Sequence, residues 1–359
     1  MCDGLQQADH RQGDLMVFTH ARREDSGAFK QYTRVLLTFI VWHTRMSPLP
    51  QIDQFLRTPD ACFEGLTDFP YLPHYTEVGG LRVAYIDEGP RHGPLVFLLH
   101  GEPAWSYLYR KMIPVLVQAG CRVIAPDQVG FGRSDKPTRR QDYTYAHHVA
   151  WMSALVAQQG WQNMTFFGQD WGSLVGLRVV AAMPERFARI ALGNAALPTG
   201  QEPLPQAFRI WRAFAKYSPW FPIGRIVKTG CQKGLTDHEV AAYNAPFPSR
   251  AYRVGARVFP TLVPDGPNDP EGQVNARAWD EVFKHWHKPL VTLFSNRDPV
   301  TKGGYKIWQA LVPGAQGQPH ANIRGAGHFL QEDSGVEVAQ ALVQFIHNNP
   351  SPALEGTAP

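Results

Sequence analysis

Met164-Thr165-Phe166-Phe167-Gly168-Gln169-Asp170-Trp171-Gly172 is the stretch on which the reading of this chain turns. Met164 to Phe167 is a short apolar run of the buried-strand type, and Leu174 to Ala182 has the composition of a helix. Gly168 and Gly172 bracket the join, where the backbone must turn sharply without a Cβ in the way. This is a strand–turn–helix elbow that lifts one nucleophilic side chain above a sheet, with aspartate where serine is usual. A carboxylate is already ionised at neutral pH and attacks without a base. Its fitting target is an sp³ carbon bearing a leaving group, displaced to give an ester. The same residues also read as an acidic N-cap beside a core tryptophan, so the rest of the chain has to decide.

Working outward, Tyr75–Val78 and Leu81–Asp87 flank Gly79-Gly80 as a hairpin. Pro94–His100 is a continuous apolar run of the kind buried on both faces of a sheet. It ends in the turn His100-Gly101-Glu102-Pro103. A helix over Tyr107–Ala119, a strand at Arg122–Ala125, a Gly-rich loop over Asp127–Lys136 and a helix over Tyr145–Gln159 lead to the elbow strand. Ile190–Asn194 is the sixth strand. This alternation predicts a mostly parallel α/β sheet. It stops between 198 and 280, where helical stretches at Gln206–Lys216, Asp237–Asn244 and Tyr252–Phe259 lie among Pro, Trp, Phe and Tyr. That segment reads as a helical cap inserted after the sixth strand, over the carboxyl edge where α/β sites form. Strands at Leu290–Ser295 and Asn322–Arg324 and a helix over Ser334–His347 complete the sheet. The expected organisation is an extension over 1–45, core over 46–197, cap over 198–280, core over 281–350 and a tail over 351–359.

Composition excludes several classes. With 35 basic and 31 acidic residues the net charge is +4, which marks no polyanion-binding surface, and Arg139-Arg140 reads as a solvated turn. Cys2, Cys62, Cys121 and Cys231 form no C-x-x-C pair and no metal spacing with histidine, so they read as free thiols in a reducing, cytoplasmic setting. His147 and His148, adjacent on a helix, point apart and make a poor metal site. Val35–Trp42 is apolar but far shorter than the ~20 residues of a membrane helix. It also lies too deep for a secretory signal. The polar Met1–Arg45 leader is expected to be an extension, with Met46 as the natural start.

If Asp170 forms an ester, hydrolysis needs a water and a base. His328, in Gly325-Ala326-Gly327-His328-Phe329 after the last strand, can reach over the elbow. Asp298, in Ser295-Asn296-Arg297-Asp298-Pro299, would hold the tautomer of the imidazole and stabilise its cation. The order nucleophile, acid, histidine is that of α/β-hydrolases. Singly, Asp298-Pro299 is a turn and His328 a helix cap; three such residues, each at the carboxyl end of a strand, are not a coincidence of turns. The backbone N–H groups of Trp171 and Glu102 would form an oxyanion hole. The Glu102 side chain is expected to position water, orient Trp171, or pack against Arg110 or Arg133.

Taken together these residues resemble the haloalkane dehalogenases, in the subfamily with two halide-binding tryptophans, over roughly residues 55 to 345. The resemblance rests on His100-Gly101-Glu102-Pro103, Trp105-Ser106-Tyr107-Leu108-Tyr109-Arg110-Lys111-Met112, Val129-Gly130-Phe131-Gly132-Arg133-Ser134-Asp135-Lys136-Pro137, the Asp170 elbow, Ala245-Pro246-Phe247-Pro248 and Gly327-His328-Phe329. Arg57-Thr58-Pro59-Asp60 matches the family's opening segment. The resemblance implies Asp170 as nucleophile, His328 as base, Asp298 as supporting acid, and Trp171 with Trp211 as halide donors, Trp220 being the runner-up. It implies a small halogenated hydrocarbon, water and halide as ligands, with no metal or organic cofactor. An indole N–H suits that role because it donates and cannot compete as a nucleophile. Ser173 stands where glycine is common, and Asn194 where some relatives carry the acid.

Rival readings remain at this point. An epoxide hydrolase would use the same triad with two cap tyrosines, for which Tyr217, Tyr243 and Tyr252 are available; Glu102 weighs against it. A haloacetate dehalogenase would want arginine near the nucleophile, where Trp171 stands. A non-catalytic small-molecule receptor of the same fold would leave the intact triad unexplained.

Overall fold

The computed structural model describes residues 49–66 and 68–351. The expectations for the leader, the start at Met46, Cys2, Val35–Trp42 and the tail beyond Ser351 fall outside the described residues. An eight-stranded sheet organises the chain: β1 His74–Val78, β2 Leu81–Glu88, β3 Leu95–Leu99, β4 Arg122–Pro126, β5 Met164–Gly168, β6 Phe187–Leu192, β7 Leu290–Ser295 and β8 Ala321–Ile323. Their order across the sheet is β8-β7-β6-β5-β3-β4-β2-β1. β3 to β8 run parallel, and β2 lies antiparallel to both β1 and β4.

β3 shows why the order forms. All five of its residues are buried. Val96 and Leu98 join the core on the side of helices α1 (Ile113–Gln118) and α10 (Leu330–Asn348). Phe97 points the other way, onto Phe166 and Trp161. Period-two alternation with both faces apolar is the pattern of a central parallel strand. On the second side, α2 (Tyr145–Gln158) packs on α3 (Trp171–Ala182). The strand order reverses around β3, so the crevice at its carboxyl end is the switch point at which doubly wound sheets bind ligands.

Between β6 and β7 the chain is helical: α4 Gln206–Tyr217, α5 Ile223–Gly230, α6 Asp237–Asn244, α7 Val254–Val258 and α8 Pro270–Glu281. Local chemistry sets two of these starts. Thr236 and Glu239 form a reciprocal capping box at α6. At α8, Asp269 accepts from the amides of Glu271 and Gly272, while Pro270 occupies the first turn. A last helix, α9 Tyr305–Leu311, lies between β7 and β8.

Several expected elements differ. The helix over Tyr107–Ala119 is a 3₁₀ turn at Ser106–Tyr109 followed by α1, because Pro114 can only open a helix, not continue one. The sixth strand runs Phe187–Leu192 rather than Ile190–Asn194, since Asn194 takes φ 47° and leaves the sheet. Tyr252–Phe259 resolves into α7 between two 3₁₀ turns, and α5, α8 and α9 were not expected. α10 starts at Leu330 with a break at Ser334, so the expected helix from Ser334 is its second part. The opening segment Arg57-Thr58-Pro59-Asp60 is tied down: Arg57 pairs with Asp135 at 2.8 Å, and the Thr58 hydroxyl donates to Pro246 O at 2.8 Å.

Candidate active site

Register places the site. Leu99 pairs with Gly168 and Gly168 with Leu192, so the segments leaving β3, β5 and β6 emerge side by side. Asp170 sits at the tip of the middle one with φ 52° and ψ −129°, a conformation that costs a non-glycine residue about 1–3 kcal/mol. The surroundings hold it there. Its N–H donates to Asn194 O at 3.1 Å, and its carbonyl accepts from the Ser173 amide (2.8 Å) and hydroxyl (2.6 Å). At Gly172 a Cβ would lie 1.8 Å from Leu99 O, so only glycine lets α3 start this close to β3. Ser173 is thus a helix residue that braces the elbow.

The two carboxylate oxygens of Asp170 have different neighbours. Oδ1 accepts from the Glu102 amide at 2.8 Å. Oδ2 faces His328 Nε2 at 3.5 Å. On the far side of the imidazole, Nδ1 lies 3.1 Å from Asp298 Oδ1. Asp298 is fully buried and accepts further bonds from the Val300 amide and from the Thr301 amide and hydroxyl. Burial works against its charge, yet the His328 imidazole and these donors hold its carboxyl down at about 2. For His328 burial again disfavours the charged form, but Asp298 and Asp170 overrule it and raise the imidazole well above its ordinary value. With Nδ1–H directed at Asp298, the lone pair of the neutral ring points from Nε2 into the site.

The Trp171 amide is at the first position of α3, in a turn whose N–H groups have no intrahelical acceptor. It is the amide that immediately follows Asp170 in the chain, while the Glu102 amide is the one bonded to Oδ1. The Trp171 indole is 2% exposed, packed edge-on to Phe259 (4.7 Å) and Tyr145 (5.2 Å). Its Nε1–H is buried with no acceptor among the described residues. An unpaired buried donor is costly, and this one belongs to the residue next to Asp170, where it is free to donate to a ligand atom.

Trp211 is not brought to that point. It is half-buried on α4 and stacked on Phe214 and Phe221, and among the described residues no ring contact joins it to Trp171 or Phe259. Trp220 is 59% exposed, with Arg225 over its ring. The Glu102 carboxyl packs against neither arginine. Arg110 is engaged by Glu332 and Glu239, and Arg133 lies over Trp105, Phe63 and Phe69. Glu102 is buried with Oε1 unpartnered among the described residues, and burial, then the nearby Asp170 charge, raises its carboxyl well above the usual range.

Two residues to which sequence reasoning gave no role hold the His328 loop. The Asn194 side chain, fully buried, donates to Ser295 Oγ, Gly327 O and His328 O and accepts from the Ser295 amide, within 2.9–3.0 Å. One side chain thus joins β7, the histidine loop and, through its own carbonyl, the elbow; it is a strut where an acid was conceivable. Gln169 Nε2 lies 3.2 Å from both Nε2 and O of His328. Only the buried position next to the nucleophile could have hinted at it. Among the cap tyrosines, the Tyr243 hydroxyl donates to Glu332 and Tyr217 is 72% exposed. Neither is free to polarise an epoxide over Asp170.

Comparison with known proteins bears on the fold and the family. A family model for the alpha/beta hydrolase fold matches residues 94–334. A haloalkane dehalogenase of Psychrobacter cryohalolentis is 54% identical over 83% of this chain and 99% of its own length. One from Mycolicibacterium paratuberculosis is 48% identical over 81% of this chain and 97% of its own. The solved tetrameric haloalkane dehalogenase DpaA from Paraglaciecola agarilytica NO2 has a TM-score of 0.74 and 37% identity, covering 81% of this chain and 99% of that one.

Proposed function

The chain belongs to the haloalkane dehalogenase family, and from that premise we propose how its own residues divide the hydrolysis of a carbon–halogen bond. Asp170 Oδ2, the oxygen not held by the Glu102 amide, attacks the halogen-bearing carbon in line. The bonding pair leaves on the halide, which the Trp171 indole N–H receives; Trp211 on α4 is taken as the second donor. The product is an alkyl ester on Asp170.

Ester formation changes the base as well as the nucleophile. In the free enzyme His328 stands between two carboxylates, which favours its cation. Esterification removes the charge of Asp170 and leaves only Asp298, so the imidazole loses its proton more readily just when a base is needed. His328 Nε2 then takes a proton from water, and the hydroxide adds to Cγ of Asp170. The resulting oxyanion on Oδ1 is met by the Glu102 and Trp171 amides. Collapse expels the alkoxide, which recovers the proton from His328. The sum is alcohol, halide and one proton, with no metal or organic cofactor required.

The observation that supports this reading is the split environment of Asp170, one oxygen held by the Glu102 amide and the other beside His328. We take residues 198–280 as the cap that sets substrate range, and a cytoplasmic site of action fits the free Cys62, Cys121 and Cys231. Among the described residues no helix is long and apolar enough to cross a membrane. The test is bromide release from 1,2-dibromoethane and 1-bromobutane beside a styrene-oxide assay and an Asp170→Ala control. Halide release that disappears in the control is expected; diol formation without halide release would refute the proposal.

A further inference from the structure

The histidine loop is not held by the core alone. Asp333, 4% exposed on the first turn of α10, accepts three backbone amides: Gly327 at 2.8 Å, Gln232 at 2.9 Å and Lys233 at 2.7 Å. Gly327 precedes His328, whereas Gln232 and Lys233 belong to the segment that leaves α5 of the cap. The Lys233 ammonium returns to the Asp333 carbonyl. A second bond runs in parallel, from the His328 amide to Gly230 O at 2.9 Å. The two segments touch so closely that side chains do not fit between them. A Cβ at Gly327 would lie 2.4 Å from Gly230 O, and one at Gly230 would lie 2.7 Å from the Phe329 ring.

We propose that Asp333 is a positioning residue that locks the cap segment Gly230–Lys233 to the His328 loop, so that the hydrolytic half of the reaction depends on the cap being seated. A carboxylate suits this because it can accept from three amides at once, in two directions. It does not touch Asp170 or Trp171. Asp170 and Trp171, on the core elbow, stay in place when the lock is removed, whereas the His328 loop is loosened. Misplacing a reacting group by about 1 Å costs on the order of 10²-fold. The inference rests on His328 being the base, so His328→Gln is carried through the same experiment.

The experiment follows both half-reactions by rapid quench with 1,2-dibromoethane, reading the ester as a mass increase on the Asp170 peptide. Asp333→Asn keeps the shape but loses one acceptor. It is expected to slow ester hydrolysis at least ~10-fold and leave ester formation within about 2-fold, so that ester accumulates at steady state. Gly230→Ala leaves the carboxylate intact and wedges the segments apart, and is expected to change the same step in the same direction. It also carries the test should Asp333→Asn fail to fold. Equal losses in both half-reactions, or an unchanged hydrolytic rate, would overturn the inference. If His328→Gln accumulates no ester, the assignment of the base has failed instead.

Discussion

Replacing Trp171 by phenylalanine separates two readings of that side chain by the sign of two effects. The indole is almost fully buried, and its N–H has no acceptor among the described residues. As a core residue alone it would be poorly designed, because an unpaired buried donor costs about 1–3 kcal/mol. Phenylalanine removes that cost, keeps the edge contacts with Phe259 and Tyr145, and gives up the pyrrole ring atoms, a loss of about 2 kcal/mol at ~0.8 kcal/mol per buried carbon. These terms nearly cancel, so the melting temperature is expected to move by only about 2–4 °C in either direction. Halide is a different matter. A hydrogen bond to a charged partner contributes about 1.5–3 kcal/mol, which is ~10- to 150-fold in an equilibrium or a rate. Bromide as a product inhibitor is expected to weaken by that factor, and ester formation in single-turnover rapid quench to slow by a similar one. A large fall in melting temperature with unchanged bromide inhibition would refute the reasoning and return Trp171 to the core.

Two further outcomes follow from buried polar groups. Asn194→Ala places alanine at φ 47°, costing about 1–2 kcal/mol, and orphans the buried Ser295 amide for about 1–3 more. The melting temperature, read by scanning calorimetry, is expected to fall by about 4 °C or more, and a change under ~1 °C would contradict the strut. Lys136 is wholly buried and, among the described residues, hydrogen-bonds to the carbonyls of Gly132 and Ser134; burial pushes its ammonium down to about 7, against the partial support of Asp127 and Asp135. Between that value and its ordinary 10.5 the unfolded chain holds a proton that the folded one releases, so this group makes stability rise with pH across that window. In urea unfolding at pH 7 to 10, wild type is expected to gain on Lys136→Met by up to about 1.4 kcal/mol per pH unit; a pH-independent difference would show the ammonium to be stable in place.

Much of this was legible in the chain because the informative residues are local. Gly168-Gln169-Asp170-Trp171-Gly172 contains its own turn chemistry, and β7 and α6 lie where their apolar runs and caps put them. The triad could be written from three loops because each follows a strand of a sheet whose order is constrained. What stayed hidden depends on contacts far apart in sequence. Asn194 becomes a strut only when β6, β7 and the histidine loop meet, and Asp333 a lock only when the cap returns to α10. Pro114 and Asp269-Pro270 did carry boundary signals, so the break before α1 and the start of α8 were readable. The surroundings of Trp211 were not, since its stacking on Phe214 and Phe221 depends on how α4 packs rather than on spacing.

The central claim is that Asp170 is the atom donor to the alcohol, and isotope labelling tests it most directly. With enzyme in excess over 1,2-dibromoethane in H₂¹⁸O, a single turnover should leave one ¹⁸O in the Asp170 peptide and unlabelled oxygen in the alcohol. Label in the alcohol with none in Asp170 would mean that water attacks the carbon directly, and would contradict the account.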